Sequence, residues 1–208
     1  MKNQIYNYKS KVVPTWCPGC PNFLLLTGLQ QAFAKLKIPN HNIVVVSDIG
    51  CAGNISNFLN TYRIHSLHGR AIPTAIGVKL ANPKLTVVVV VGDGGAYGEG
   101  LNHLITAVRA NYDIKVFVAN NHLYSLTTGQ ASPTTKTGTK TKSTPFGYAL
   151  KPIDPVPLIK SVNSSILVEN VDSKNSPKLF KKITKILNHQ GFALLDISQI
   201  CISFGKSL

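Results

Sequence analysis

Five consecutive valines, Val87 to Val91, followed by Gly92-Asp93-Gly94, constrain the fold more than any other stretch of this chain. An uninterrupted β-branched run of that length reads as a strand buried on both faces. The segment from Gly98 to Ala110 then places Leu101, Leu104, Ile105 and Val108 at helical spacing. A second apolar run, Val116-Phe117-Val118-Ala119, ends in Asn120-Asn121. A strand, a helix and a strand in that order make a β-α-β unit with parallel strands. Asp93 and Asn121 then stand at the carboxyl ends of two parallel strands, the edge where open α/β sheets bind ligands.

The chemistry of those two ends agrees with that placement. A carboxylate and a side-chain amide are hard oxygen ligands, suited to Mg²⁺ or Ca²⁺. Mg²⁺ keeps few protein ligands and bridges to phosphate oxygens. Glycines beside Asp93 let a diphosphate approach the backbone, and the following helix offers its first amides. A bare Gly-Asp-Gly is equally compatible with a ligand-free strand-to-helix turn; the Asn-Asn pair about 25 residues on makes the signal more specific.

The rest of the chain repeats the rhythm. Residues 1–13 are polar and read as a loose lead-in. Thr15-Trp16-Cys17-Pro18-Gly19-Cys20-Pro21 precedes a helix carrying Phe23, Leu26, Leu29, Gln30, Phe33 and Leu36, which ends before Pro39. Residues 43–47 read as a second buried strand, ending in the turn Asp48-Ile49-Gly50-Cys51-Ala52-Gly53. A loop with His65 and His68 leads to a helix from about Gly69 to Ala81. Small residues Gly28, Ala71, Ala75 and Gly77 suit close packing against a sheet or a subunit. Residues 127–151 form a Thr-, Lys- and Gly-rich segment on which no helix or strand is forced; loops this long are lids, binding loops or flexible segments. Beyond it come a helix near 155–161, a strand at 165–169, a helix at 176–189 and a strand at 192–197. Five strands alternating with helices predict one α/β domain over 1–208, a three-layer α/β/α sandwich with a mostly parallel sheet.

A chain of 208 residues is long enough for a real core, and no apolar run is long enough to span a bilayer. The N-terminus lacks an apolar signal core, so a soluble, cytoplasmic protein is expected. The net charge of +14 could face nucleic acid or an acidic protein, or form a solvated Lys-rich surface. Only Arg63, Arg70 and Arg109 are arginines, and no aromatic-laced basic stripe is present, which argues against nucleic-acid binding.

Four cysteines remain: Cys17, Cys20, Cys51 and Cys201. In a cytosolic chain disulfides are not expected. Cys17-Pro-Gly-Cys20 could be a redox pair or half of a zinc site, but both readings leave Cys51 and Cys201 unused. One chelating pair plus two single thiolates is a plausible set for a 4Fe–4S cluster, which needs four; ordinary buried thiols are the alternative.

These motifs together resemble a known family. Gly92-Asp93-Gly94 and Asn120-Asn121 look like the thiamine diphosphate and Mg²⁺ motif, and thiamine enzymes have a fold of the class expected here. The continuation from Asn121 through Leu123-Tyr124-Ser125-Leu126-Thr127-Thr128-Gly129-Gln130 to Ser132-Pro133-Thr134 resembles beta subunits of 2-oxoacid:ferredoxin oxidoreductases, closest to the 2-oxoglutarate type. Trp16-Cys17-Pro18-Gly19-Cys20, Ile49-Gly50-Cys51 and the run from Asp196 to Cys201 resemble the family's cluster-carrying members.

The resemblance implies that Asp93, the Asn121 side chain and the Leu123 carbonyl hold Mg²⁺, and that Cys17, Cys20, Cys51 and Cys201 hold the cluster. It implies cofactor or substrate contacts at Ile49, Gly50, Cys51, His68, Gly69 and Arg70. It implies the same at Gly92, Asp93, Gly94, Gly95, Asn121, Leu123, Tyr124, Leu126 and Thr127. His65 reads instead as a loop-capping residue. The implied partners are an alpha subunit that supplies the activating Glu (as a heterodimer or a dimer of heterodimers), ferredoxin, a 2-oxoacid and coenzyme A. No catalytic residue is assigned to this chain, and Glu99 reads as an acid at a helix N-terminus.

Two departures stand out. Thr128 occupies a place where relatives often carry Lys, which bears on the second carboxylate of 2-oxoglutarate; pyruvate is then the other substrate. Relatives also continue well past the last cysteine, so a C-terminal lobe is read as missing beyond Leu208. Rival readings are a non-redox thiamine decarboxylase or synthase, which needs no four-cysteine set, and a basic zinc-containing nucleic-acid-binding module.

Overall fold

A computed structural model describes residues 8–205 of the chain; residues 1–7 of the lead-in and 206–208 at the other end lie outside the described residues. Six parallel strands form one sheet. They are β1 (Ile43–Ser47), β2 (Tyr62–His65), β3 (Thr86–Gly92), β4 (Lys115–Asn120), β7 (Leu167–Asp172) and β8 (Ala193–Ser198), in the order β2-β1-β3-β4-β8-β7. A two-stranded antiparallel hairpin, β5 (Leu123–Tyr124) with β6 (Gln130–Ala131), stands apart from it.

The valine run is β3, at the centre. It pairs in parallel with β1, Val45 opposite Val88, and with β4, Val90 opposite Phe117. Its side chains alternate between two cores. Val88 and Val90 join the helices α1 (Asn22–Leu36) and α5 (Ser176–Leu187) on one face. Val87, Val89 and Val91 join α2 (Ala71–Ala81), α3 (Leu101–Ala110) and α4 (Pro155–Val162) on the other. Each fully buried valine contributes about 1.5–3 kcal/mol relative to exposure, so a run that would be unstable in water is at home only between two helical layers. This is the three-layer α/β/α sandwich, with a wholly parallel central sheet.

Helix ends follow local chemistry. Lys37 takes a left-handed φ of 53°, and Lys37 and Ile38 return their N–H groups to Ala34 and Phe33. Asn175 caps α5 by accepting the Lys178 N–H at 3.2 Å. A Cβ on Gly28 would stand 2.5 Å from Ile183 Cδ1, so this glycine lets α1 seat against α5.

Three elements differ from expectation. The segment read as a loop before His65 is β2, an edge strand with all four residues exposed. Tyr62-Arg63-Ile64-His65 is too short and too polar to show periodicity, and pairing with β1 alone makes it a strand. The helix expected from Gly98 is two pieces: a π-helical turn at Gly94–Glu99, then α3 from Leu101. Such turns collect at functional sites. The polar segment 127–151 begins with β6 and buries Ser132, Thr134 and Thr135 against the sheet edge. In the lead-in, Tyr8 is buried and donates to the Ile38 carbonyl at 2.8 Å. No helix among the described residues is long and apolar enough to cross a membrane.

The order of the strands places the site. The chain leaves β1 toward β2 on one side and leaves β3 toward β4 on the other. The carboxyl ends of β1 and β3 therefore border the crevice of a topological switch point.

Candidate functional site

Asp93 follows β3 directly and is 1% exposed. Its Oδ2 accepts hydrogen bonds from Ser132 Oγ at 2.5 Å and from Thr134 Oγ1 at 2.8 Å. Among the described residues its Oδ1 receives only a long contact, 3.4 Å, from the Asn121 N–H. Burial pushes the Asp93 carboxyl above the usual range, and the two hydroxyl donors and the nearby His122 oppose that shift. One carboxylate oxygen is thus held by side chains, while the other keeps acceptor capacity.

The two asparagines at the end of β4 have different surroundings. Asn120 is buried; its amide donates to both Asp196 oxygens at 3.2 Å, and its Oδ1 accepts from Thr134 at 2.9 Å. Asn121 lines the crevice, and its Oδ1 accepts the Leu123 N–H at 3.0 Å. His122, which follows them, takes a left-handed φ of 62°, which turns the chain from β4 into the β5–β6 hairpin.

A cavity of about 110 Å³ opens at this edge. From the β1 turn it is lined by Ile49, Gly50, Cys51 and Ala52, and from the β3 turn by Gly92, Asp93, Gly94 and Gly95. Beyond β4 its wall is Asn121, Leu123, Tyr124, Ser125, Leu126 and Thr127, and His68 closes one side. The two central glycines are required by close approach. A Cβ on Gly94 would lie 2.1 Å from the Tyr124 ring, and one on Gly95 would lie 1.7 Å from Asp48 Oδ2. Gly69 and Arg70 do not line the cavity. The Gly69 N–H donates to Asp48 Oδ1 at 3.0 Å, and the Arg70 guanidinium meets the His103 ring outside.

Asp48 was not singled out by sequence reasoning, though it follows β1 as Asp93 follows β3. Its side chain is fully buried, with Oδ2 3.2 Å from His68 Nδ1. On the far side of the same ring, Nε2 lies 3.5 Å from Glu99 Oε2. Glu99 Oε1 accepts the Tyr124 hydroxyl at 3.0 Å, and burial first and then this bond raise the Tyr124 phenol. Glu99 therefore faces His68 and Tyr124 at the rim, a more specific position than an acid at a helix N-terminus. His65 lies on exposed β2.

A second buried carboxylate, Asp196 on β8, was seen only as part of a cysteine motif. It accepts the Tyr97 hydroxyl at 2.6 Å, from the π-helical turn after Asp93. Burial raises the Asp196 carboxyl, against the hydrogen bonds of Tyr97, Asn120 and Asn170. The chain Tyr97–Asp196–Asn120–Thr134–Asp93 ties the Gly-rich turn, β4, β8 and the segment after β6 into one network.

All four cysteines are free thiols lining a second cavity of about 260 Å³. Cys17 and Cys20 close a tight turn, Cys20 N–H to Cys17 carbonyl at 3.0 Å. The Trp16 indole packs edge-on against Phe23 and Phe58 and donates to the Cys51 carbonyl at 2.7 Å, pinning that turn to the β1 turn. Cys201 arrives from the end of β8. Burial, and then the neighbouring Cys20, Cys201 and Cys17, push the Cys51 thiol up to about 11. Among the described residues no three His, Cys, Asp or Glu side chains are drawn into a metal-holding group; the thiols face one cavity without converging. The two cavities share a wall of Cys51, Asn121, Ser125 and Leu126.

A parallel sheet with a ligand crevice at its switch point, an aspartate after one strand and an asparagine after the next, defines a cofactor-binding α/β domain. Residues 48–197 match the family described as thiamine pyrophosphate enzyme, C-terminal TPP binding domain. The 2-oxoacid:ferredoxin oxidoreductase subunit beta of Saccharolobus solfataricus is 43% identical over 193 residues, 91% of this chain and 62% of that protein. The 2-oxoglutarate synthase subunit KorB of Archaeoglobus fulgidus is 39% identical over 203 residues, 97% of this chain and 75% of that protein. A solved 2-oxoglutarate:ferredoxin oxidoreductase from Magnetococcus marinus, with 2-oxoglutarate, coenzyme A and succinyl-CoA bound, superposes with a TM-score of 0.95. It is 33% identical, with 98% of this chain and 69% of that one covered.

The chain belongs to the thiamine pyrophosphate enzymes. Within them it is a member of the beta-subunit family of the 2-oxoacid:ferredoxin oxidoreductases. It spans less than two thirds of the length of several curated relatives, 62% of the Saccharolobus protein and 63% of one from Aeropyrum pernix.

Proposed function

We propose that this chain is the thiamine diphosphate- and cluster-carrying subunit of a cytoplasmic 2-oxoacid:ferredoxin oxidoreductase. The reaction converts a 2-oxoacid and coenzyme A into acyl-CoA, carbon dioxide, a proton and two electrons, and the electrons pass one at a time to two ferredoxins. 2-Oxoglutarate is the favoured substrate, in line with the names of several relatives, and pyruvate is the second. Thr128, at the tip of the β5–β6 hairpin with φ 80°, offers no cation for a second carboxylate.

The donor chemistry fits the groups the family implies. Asp93 Oδ1, Asn121 Oδ1 and the Leu123 carbonyl would hold Mg²⁺, a hard cation served by oxygen. Gly94 and Gly95 keep the backbone bare where a diphosphate must lie close. Thiamine diphosphate, when bound, supplies the nucleophilic carbon and electron sink for decarboxylation. His68, with Nδ1 against buried Asp48 and Nε2 facing Glu99, is held by both ring nitrogens and gives its ring to the cavity wall.

Cys17, Cys20, Cys51 and Cys201 would hold a 4Fe–4S cluster, whose charge is what draws four thiolates together. An alpha subunit supplies the activating Glu, and a chain of net charge +14 suits an acidic electron acceptor.

One observation carries this reading: the cysteine-lined cavity and the strand-end crevice have a common wall, so a cluster and a cofactor would be neighbours. The test is anaerobic purification together with the alpha subunit. The complex should be brown, contain roughly four irons per chain, bind thiamine diphosphate only with Mg²⁺, and reduce ferredoxin given 2-oxoglutarate and coenzyme A. A colourless complex that still decarboxylates would sink the electron relay, and one that binds no thiamine diphosphate would sink the whole reading.

A further inference from the structure

Among the described residues three buried side-chain polar atoms lack a hydrogen-bond partner: Gln30 Nε2, Ser125 Oγ and Gln199 Oε1. Two of the three line the cysteine cavity. Ser125 is 8% exposed and Gln199 is 6% exposed. Gln199 is anchored at its other end, Nε2 donating to Asn22 Oδ1 at 3.0 Å. A buried hydroxyl or amide without a partner is costly, so such groups mark a missing one. Their concentration on the wall of one cavity says that this cavity is built for a polar occupant.

Ser125 has the more telling position. It lies in the shared wall together with Cys51, Asn121 and Leu126. A serine hydroxyl is a donor whose proton rotates to suit an acceptor. The acceptors a cluster would bring to this wall are its sulfides and the Cys51 thiolate. The hard oxygens of a diphosphate are served by Asp93 and the bare backbone of Gly94 and Gly95, which line the crevice and not the cysteine cavity.

We infer that the Ser125 hydroxyl donates a hydrogen bond to the sulfur of the four-cysteine cluster, on the side facing the thiamine pocket, and so raises the cluster's reduction potential. This rests on the cluster proposed above. A reduced cluster carries one more negative charge than an oxidised one, so a donor aimed at its sulfur favours the reduced form. Ser125 is on this reading a positioning and tuning residue. It acts through the cluster's sulfur, by favouring the reduced form.

The experiment is an EPR-monitored redox titration of the holo-complex with its alpha subunit, comparing wild type with Ser125→Ala and Ser125→Thr. Held at the wild-type midpoint, Ser125→Ala should show a reduced-to-oxidised ratio about tenfold lower, a shift of ~59 mV for a one-electron couple. Ser125→Thr should return it toward wild type. An exchangeable proton coupling to the reduced cluster, present in wild type in H₂O, should be lost in Ser125→Ala. If Ser125→Ala fails to retain iron, Ser125→Gly carries the same comparison.

Titration of Ser125→Ala with wild type would overturn the inference while leaving the cluster standing. So would a potential that moves equally in Ser125→Thr, or a loss confined to thiamine diphosphate affinity. A wild-type complex without iron would overturn the cluster itself, and the inference with it.

Discussion

The bond from Tyr97 to Asp196 joins residues 99 positions apart and holds the Gly-rich turn to β8. Replacing Tyr97 with Phe removes one oxygen and keeps the ring, which is fully enclosed. A hydroxyl donating to a carboxylate contributes about 1.5–3 kcal/mol, and one donating to a neutral acid about 0.5–1.5 kcal/mol. Asp196 retains Asn120 and, at 3.5 Å, Asn170, so the lower-middle of the first range, about 2 kcal/mol, is expected when the carboxyl is ionised.

The pH dependence fixes the sign. Burial raises the folded Asp196 carboxyl above its unfolded value. Its contribution to stability is therefore fully present below the unfolded pKa and is lost as pH rises through the folded one. Tyr97 opposes that shift, so Tyr97→Phe raises the folded carboxyl further and steepens the loss. Urea unfolding should show the variant weaker by about 2 kcal/mol at a pH above the Asp196 transition and by about 1 kcal/mol or less at a pH below it. At the higher pH the melting temperature should fall by roughly 4–8 °C. A gap that is equal at both pH values, larger in acid, or under about 0.5 kcal/mol throughout would refute the reasoning.

Three further outcomes are expected. Asp93→Ala should weaken Mg²⁺-dependent thiamine diphosphate binding by on the order of 100-fold, read by calorimetry, while the far-ultraviolet circular dichroism stays that of the wild type. Cys17→Ser should abolish iron binding in the holo-complex yet keep thiamine diphosphate affinity, because Cys17 lines the cysteine cavity and not the crevice; iron analysis beside calorimetry separates the two. In the iron-free chain, alkylation followed by mass spectrometry should label exposed Cys17 first at neutral pH. The rate at Cys51 should keep climbing toward its pKa of about 11, since only the thiolate reacts; equal rates at neutral pH would contradict the burial of Cys51.

Much of the site could be read along the chain because its parts are local. A valine run followed by Gly-Asp-Gly announces a buried strand and the turn that ends it, and Asn120-Asn121 ends the next run. What stayed hidden depends on partners far away in sequence. Asn120 and Asn121 are adjacent, but one faces the Asp196 network and the other the crevice, since successive side chains leave a strand on opposite sides. Ser132 and Thr134 sit in a stretch of ordinary loop composition, and only its fold back over β4 aims their hydroxyls at Asp93. The edge strand β2 has no apolar pattern of its own and exists by pairing with β1.

The sequence by itself determined the layers, the parallel sheet and the chemistry available at its strand ends, because burial periodicity and turn stereochemistry act over a few residues. Only the tertiary structure decided that Asp48 clamps His68, that Tyr97 reaches across β4 to Asp196, and that the cysteines share a wall with the crevice. Those are matters of strand order and of how a buried polar group finds its partner. Both are settled when the helical layers close over the sheet and water is no longer there to satisfy the groups left inside.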